Sequence, residues 1–220
     1  MGLKAFIFDW DGVIVDSSEL HRSSWEALAN ELKKELPEDH FEKGFGKRNE
    51  TIIPEILRWT THLKSIKQWG ERKEEIYREF GKSGGINLQT GALRFLKQAR
   101  KFSIPCCIGT STERKNVLLA MKQHQLEEFF LGIVSSEDVS SGKPNPEVFL
   151  KASKLLGNHP SECIVFEDSP HGIKAAKLGG MKAVALTTSH PREAFHSLCP
   201  DLLVPNLNDL KMDNLQAIFQ

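Results

Sequence analysis

Six short apolar runs, at residues 4–8, 105–108, 132–134, 163–166, 183–186 and 202–204, constrain the fold of this 220-residue chain more than any other feature. Each is apolar throughout rather than alternating, as in strands buried on both faces. Between several of them lie residues at helical spacing: Leu93, Leu96 and Ala99, then Val117, Leu118 and Met121, then Val148, Phe149, Ala152, Leu155 and Leu156. Strands alternating with amphipathic helices predict an α/β fold, a parallel sheet covered by helices on both faces.

Residues 17–87 break this alternation, holding helical patterns and no strand-like run. A first helix is predicted from a Ser17-Ser18 cap through Trp25, Leu28, Ala29, Leu32 and Leu36, stopped by Pro37. Ile52, Ile53, Ile56 and Leu57 mark a second, and Trp69, Ile76, Tyr77 and Phe80 a third. The glycine-rich stretch 81–85 reads as a return linker. The predicted organisation is a core domain of residues 1–16 and 88–220 with a helical insertion at 17–87, and the chain is long enough to bury both.

Lys plus Arg and Asp plus Glu both number 29, so no global field draws nucleic acid or an anionic membrane, and neither is expected as a partner. No run of 18 apolar residues and no leader-like segment is present, which predicts a soluble, cytoplasmic protein. Cys106 and Cys107 lie adjacent in an apolar run, a packing position for reduced thiols rather than a disulfide framework or a metal knuckle.

Four polar motifs follow predicted strands. The first run ends in Asp9-Trp10-Asp11-Gly12. In extended chain residues two apart share a side, so the two carboxylates reach one space. They coexist there only if one is protonated or a cation lies between them. A hard ion such as magnesium suits such oxygens, leaving one carboxylate to attack and the other to move a proton. An isolated Asp-X-Asp pair is ordinarily a solvated turn; its neighbours decide the matter here.

The second motif, Thr110-Ser111-Thr112, places hydroxyls and N–H groups where they can hold phosphate oxygens or cap the next helix. The third, Ser141-Gly142-Lys143-Pro144-Asn145-Pro146, fixes Lys143 on a stiff surface turn, able to neutralise a transferring phosphoryl group. The fourth, Glu167-Asp168-Ser169, offers Asp168 as a metal carboxylate with Glu167 as a second ligand or its outer partner, or else caps the following helix. Strand C-termini of a parallel sheet converge on one crevice. A nucleophile, a phosphate clamp, a cation and a metal carboxylate in one place are more than four unrelated turns would supply.

The order Asp9-Trp10-Asp11-Gly12-Val13, Thr110-Ser111, Lys143-Pro144 and Glu167-Asp168-Ser169, with the helix of Gly172 to Ala176 behind it, resembles the haloacid dehalogenase superfamily. Within it, the order is similar to the beta-phosphoglucomutase-like phosphatases. The resemblance implies a Rossmann-like core with a helical cap inserted after the first strand. It implies that Asp9 forms an aspartyl-phosphate, that Asp11 protonates the leaving group and then activates water, and that Thr110 and Lys143 hold the phosphoryl group beside Ser111. Magnesium would be bound by Asp9, the Asp11 carbonyl and Asp168, with Glu167 adjacent. In the cap it implies substrate contacts from His21, Arg48 and Lys73, positions that otherwise read as solvated helix or loop residues.

The stretch Thr110-Ser111-Thr112-Glu113-Arg114 departs from the mutase-like pattern. The expected activity is therefore magnesium-dependent hydrolysis of a small phosphorylated sugar, polyol or related metabolite, with a sugar-phosphate mutase as the alternative. A non-catalytic regulatory protein on this fold would be expected to have lost one of Asp9, Asp11, Lys143 or Asp168, and all four are present.

Overall fold

The structure is a computed structural model that describes residues 2–220. In chain order the strands are β1 (Ala5–Phe8), β2 (Val15–Asp16), β3 (Asn87–Leu88), β4 (Cys106–Gly109), β5 (Gly132–Val134), β6 (Cys163–Glu167), β7 (Lys182–Leu186) and β8 (Leu202–Val204). The six apolar runs of the sequence are β1 and β4 to β8. They form one parallel sheet in the order β5-β4-β1-β6-β7-β8. The chain builds outward from β1 to one side, through β4 and β5, and then crosses to build β6, β7 and β8 on the other. This reversal beside β1 opens a crevice at the strand C-termini.

Alternate strand residues face opposite layers. Phe6, Phe8, Ile108, Phe166 and Val184 pack into one apolar layer with α5 (Ala92–Lys101) and α6 (Arg114–His124). Ile7, Cys107, Val165 and Ala183 pack into the other with α7 (Glu147–Leu155) and α8 (Pro170–Leu178). Phe8 and Phe166 stack with centroids 4.7 Å apart across the β1–β6 pair. Burying both faces of every central strand explains the absence of polar alternation in these runs. The cysteines are free, and Cys106, Cys107 and Cys163 are buried thiols whose pKa values burial pushes up.

Between β2 and β3 the chain forms a helical lobe: α1 (Ser18–Leu32), α2 (His40–Gly44), α3 (Asn49–Thr51), a π-helical turn (Ile52–Ile56) and α4 (Leu63–Gly84). Trp25, Leu28, Ile52, Ile53, Leu57, Ile66 and Ile76 make an apolar core separate from those of the sheet.

Three local expectations are corrected. Helix α1 ends four residues before Leu36, because Lys33 takes a left-handed C-cap conformation, and Pro37 does not stop it. The expected glycine linker is instead the last turn of α4 through Gly84, with Gly81 buried, so only Gly85 leaves the helix. The insertion also contributes to a small antiparallel pair, Val15 opposite Leu88 and Asp16 opposite Asn87, too short to show as strands in the sequence. Among the described residues no helix is long and apolar enough to cross a membrane.

Candidate active site

Three neighbouring strands end at one level. Phe8 pairs with Ile108 on one side and Phe166 on the other, so Asp9, Gly109 and Glu167 follow at the same height. The Asp9 N–H continues the ladder to the Phe166 carbonyl at 3.0 Å, and Thr110 N–H to that of Val134 at 2.9 Å. Sheet register, not loop conformation, therefore fixes these side chains relative to one another.

Asp9, Glu167 and Asp168 are buried, and each offers a carboxylate oxygen within 4.8 Å of the others. Lys143 Nζ lies 3.0 Å from Asp9 Oδ1 and 2.5 Å from Glu167 Oε1. The turn that carries it lies at the surface as expected, but its side chain is 2 % exposed and so is not solvated. Two buried carboxylates draw it inward. Glu167 is held from the other side by Ser169, whose N–H and Oγ donate to Oε2 at 2.8 and 2.9 Å. Ser169 also caps α8 by accepting from the Gly172 N–H at 3.0 Å, so capping and carboxylate positioning coexist in one residue.

Asp168 has less support. Its Oδ2 is buried without a partner. Gly12, at φ 72°, lies against it: a Cβ there would fall 1.8 Å from that oxygen. Only glycine meets both the left-handed backbone and the close approach.

The electrostatics follow from this packing. Burial raises Asp9 to about 8, helped by Glu167 and Asp11 and opposed by Lys143. Burial, Glu167 and Asp9 push Asp168 well above the usual carboxylate range. Burial would raise Glu167 as well, but Lys143 and the Ser169 hydrogen bonds hold it low. One lysine thus faces three buried acids, and a partnerless oxygen remains. That is the donor set and charge deficit a hard divalent cation fits, with Asp9 and Asp168 as its carboxylates and Glu167 committed chiefly to Lys143.

Asp11 stands apart, 6 % exposed, in a ring of donors. Ser17 Oγ donates to its Oδ1 at 2.5 Å, Thr112 Oγ donates to Oδ2, and His21 Nε2 lies 3.2 Å from Oδ1. Burial alone would raise Asp11; His21 and these hydrogen bonds outweigh it and bring the pKa down to about 2. The hydroxyls read in the sequence as helix caps are used here instead. Ser17 makes no cap bond to α1, and neither Thr110 nor Thr112 caps α6, whose N-cap is Glu113.

His21 continues into the helical lobe. Its Nδ1 is 2.6 Å from Lys73 Nζ, which donates to Glu74 Oε1 at 2.9 Å. Glu74 also accepts from Asn49 Nδ2 at 2.8 Å and from Asn116 Nδ2 of α6 at 2.6 Å. Lys73 is 2 % exposed, which overturns its reading as a solvated helix residue. Arg48 reaches across to the sheet domain, with Nη1 3.5 Å from the Val139 carbonyl and its stem against Gly142. Asp9, Asp11, Thr110, Ser111, His21, Arg48 and Lys73 all line one cleft of about 720 Å³, including its open mouth, while Lys143, Glu167 and Asp168 pack behind Asp9.

Sequence reasoning missed the loop after β7. Thr188 Oγ donates to the Gly12 carbonyl at 2.6 Å, and His190 Nδ1 lies 3.0 Å from the Asp168 carbonyl, so this loop braces both sides of the carboxylate cluster. The signal was available: Thr187-Thr188-Ser189 follows an apolar run just as Thr110-Ser111-Thr112 does.

A six-stranded parallel sheet that presents paired aspartates after its first strand, with a lysine and a further acid behind them, defines a class of α/β phosphoryl-transfer hydrolases. Sequence comparison agrees. The haloacid dehalogenase-like hydrolase pattern matches residues 6–186, and the chain belongs to that family. It is 34% identical over 220 residues to the chloroplastic 5-amino-6-(5-phospho-D-ribitylamino)uracil phosphatase of Arabidopsis thaliana, covering 99% of this chain and 58% of that protein. The chain therefore spans little more than half the length of that relative. It is 31% identical to the beta-phosphoglucomutase of Bacillus subtilis over 99% of this chain and 96% of that one. Among solved structures, a HAD hydrolase of family IA, variant 3, from Entamoeba histolytica superposes with a TM-score of 0.89 at 29% identity, covering 99% of both chains. The chain is thus an enzyme of the haloacid dehalogenase-like hydrolase family, and the relatives it matches include both a phosphatase and a beta-phosphoglucomutase.

Proposed function

We propose that this protein is a magnesium-dependent phosphatase of a small phosphorylated sugar, polyol or related metabolite, working through an aspartyl-phosphate on Asp9. The observation that carries the reading is the charge deficit around Asp9, where three buried acids share one lysine and Asp168 Oδ2 has no partner. The Arabidopsis relative that acts on a phosphorylated ribitylamino compound supports a polyol phosphate.

Asp9 and Asp168, with the Asp11 carbonyl, would hold the cation, and bound magnesium supplies positive charge to the phosphoryl oxygens and lowers the pKa of Asp9. Asp9 attacks phosphorus as the ester P–O bond breaks, and Asp11 passes a proton to the departing alcohol oxygen. Asp11 then takes a proton from water as that water attacks phosphorus, which frees phosphate and restores Asp9. Thr110, Ser111 and Lys143 hold the transferring group. With neither metal nor substrate bound, burial favours protonated Asp9, whose pKa is raised to about 8, while His21 and the hydrogen bonds favour ionised Asp11. Phosphoryl oxygens beside Asp11 raise its proton affinity, so loading the site prepares the acid. Residues 17–87 act as a cap that excludes bulk water.

The mutase reading has one observation in its favour. His21 and Lys73 are drawn to Asp11, where they could hold a sugar hydroxyl in place of water. A screen of phosphorylated metabolites with and without magnesium tests both readings. Hydrolysis is expected, with phosphate accumulating in step with substrate loss and no conversion of beta-glucose 1-phosphate to glucose 6-phosphate. Isomerisation with a bisphosphate primer and little phosphate release, lost in His21→Ala, would replace hydrolase by mutase.

A further inference from the structure

The helical lobe meets the sheet domain where α4 lies along α6, and a buried amide holds the junction. Asn116, on α6, is fully buried, and both ends of its side chain are used. Its Nδ2 donates to Glu74 Oε2 at 2.6 Å. Its Oδ1 accepts at 2.8 Å from Arg78 Nη1, which also pairs with Glu113 at 3.0 Å. A carboxylate only accepts and a guanidinium only donates, so an amide, with one end of each kind, matches both at once. Gln123, two turns further along the same face of α6, repeats the device: Nε2 donates to the Gly81 carbonyl at 2.8 Å and Oε1 accepts from the Ile86 N–H at 3.2 Å.

What Asn116 holds leads into the cleft. Of the three donors to Glu74, Lys73 and Asn49 belong to the lobe and Asn116 alone to the sheet domain. Burial alone would raise the pKa of Glu74, but Lys73, His21 and the hydrogen bonds hold it low, so it is a charged anchor for the Lys73 ammonium. Lys73 lines the cleft and lies 2.6 Å from His21 Nδ1, while His21 Nε2 faces Asp11. At the other rim the lobe reaches the sheet domain through a longer bond, Arg48 Nη1 to the Val139 carbonyl at 3.5 Å. The place of Lys73 over the sheet is therefore set chiefly at Asn116.

Resting on the phosphatase reading above, we propose that Asn116 and Arg78, neither of which lines the cleft, are positioning residues: by holding Glu74 to α6 they fix Lys73 and His21 over the reacting groups, and so set the affinity for the part of the substrate beyond its phosphate. The groups alternate between the domains, guanidinium from the lobe, amide from the sheet domain, carboxylate from the lobe, so the match is complete in one placement of the lobe. An apolar seam would tolerate sliding. Here a shift would set donor against donor or leave a buried carboxylate unpaired, each at the cost of desolvating a polar group without return.

The test is an exchange of the two groups. Asn116→Asp alone sets a carboxylate against Glu74, and Glu74→Gln alone sets an amide N–H against Asn116 Nδ2. Each should raise KM for ribose 5-phosphate and glucose 6-phosphate about threefold or more, with kcat for 4-nitrophenyl phosphate changed less. Glu74→Gln combined with Asn116→Asp restores the match, since the new amide donates to the new carboxylate, which also accepts from Arg78; KM should return to within about twofold of the wild type. In a Lys73→Ala background Asn116→Asp should add nothing to KM, and a full further increase would reduce Asn116 to a structural role. Acetylation footprinting by mass spectrometry, well below the unfolding temperature, makes the comparison without turnover: Lys73, 2 % exposed, should be protected in the wild type and the exchanged pair and labelled in each single variant. Should Asn116→Asp not fold, Arg78→Met removes only one of the two bonds and should act in the same direction. Unchanged KM and labelling in the single variants would overturn the inference, as would an exchanged pair no better than the poorer single variant. Failure of the wild type to release phosphate from any ester, 4-nitrophenyl phosphate included, would instead defeat the phosphatase reading, and the labelling would still decide the positioning.

Discussion

Two of the buried acidic sites among the described residues are built on opposite plans. At the strand ends, Asp9, Glu167 and Asp168 crowd together around Lys143, and Asp168 Oδ2 is left without a partner. In the helical lobe, Glu74 is as deeply buried but is surrounded by donors from Lys73, Asn49 and Asn116. Burial opposes ionisation in both places; it wins at Asp9 and Asp168 and loses at Glu74, whose pKa is lowered. A satisfied buried acid is a fastener, and here it ties α4 to α6 across the two lobes. An unsatisfied cluster is a place prepared for something the chain does not itself supply.

The largest expected effects break the prepared cluster. Asp9→Asn should abolish phosphate release while leaving the fold intact, and Asp11→Asn should lose about 10²- to 10⁴-fold, the usual share of proton transfer. Gly12→Ala should be nearly as damaging, and calorimetry should show magnesium binding lost, because the new Cβ would overlap Asp168 Oδ2. Near wild-type turnover in Asp9→Asn would remove the mechanism.

Next is Lys143→Ala. It should cost turnover corresponding to a few kcal/mol. Since Lys143 is buried against Asp9 and Glu167, it should also lower the unfolding temperature. That loss should be larger at pH 8.5 than at about pH 6, where protonation relieves the uncompensated carboxylates. A pH-independent loss would assign Lys143 to packing alone.

A third test concerns sign. Asp9 has its folded pKa raised to about 8, so between its ordinary value near 4 and about 8 the folded state binds the extra proton. The stability of metal-free protein should therefore fall as pH rises through this window, and magnesium should flatten the slope. Glu74 works the other way: its folded pKa is lowered, so its contribution is present above its ordinary range and is lost as pH falls through the folded value. Thermal unfolding from pH 3 to 9, with and without magnesium, and in Glu74→Gln, separates the two limbs. Glu74→Gln should alter only the acid one.

The smallest effect is expected farthest from the cluster. Lys73→Ala should raise KM for sugar phosphates several-fold while changing hydrolysis of a small aryl phosphate less, since Lys73 reaches Asp11 only through His21. His21→Ala should lower kcat on both, because its ring, 3.2 Å from Asp11 Oδ1, helps to fix the position of that carboxylate. Equal effects of the two substitutions on the aryl phosphate would erase the distinction between core and lobe.

The same division governs what could be read from the sequence. The six sheet strands were legible because the four central ones are buried on both faces, and the half-buried edge strands β5 and β8 are apolar as well, so each is written as an uninterrupted apolar run. Asp9, Asp11, Thr110, Glu167 and Asp168 were legible because register places them at strand ends. Lys143 was located, but its burial was not, since that depends on two acids remote in sequence. In the lobe, Glu74 is one acid among many on a charged helix, and nothing local distinguishes a carboxylate that will meet Asn49 and Asn116 from one facing solvent. Ser17 was read as a cap, and Thr112 as a phosphate contact or a cap, because hydroxyls before a helix usually cap it; here a buried carboxylate, Asp11, takes both.

Because β2 and β3 run antiparallel, with Val15 opposite Leu88 and Asp16 opposite Asn87, the chain leaves the sheet layer and returns to it at the same point. A two-residue turn is enough to join strands in that relation. At the level of the gene, the codons between positions 17 and 86 thus form a cassette, and exchanging it asks nothing of the register that fixes Asp9, Thr110 and Asp168. Recombination at this junction can replace the chamber over Asp9 and Asp168 and leave those two where they are, provided the incoming segment brings its own equivalents of Ser17 and His21 to hold Asp11.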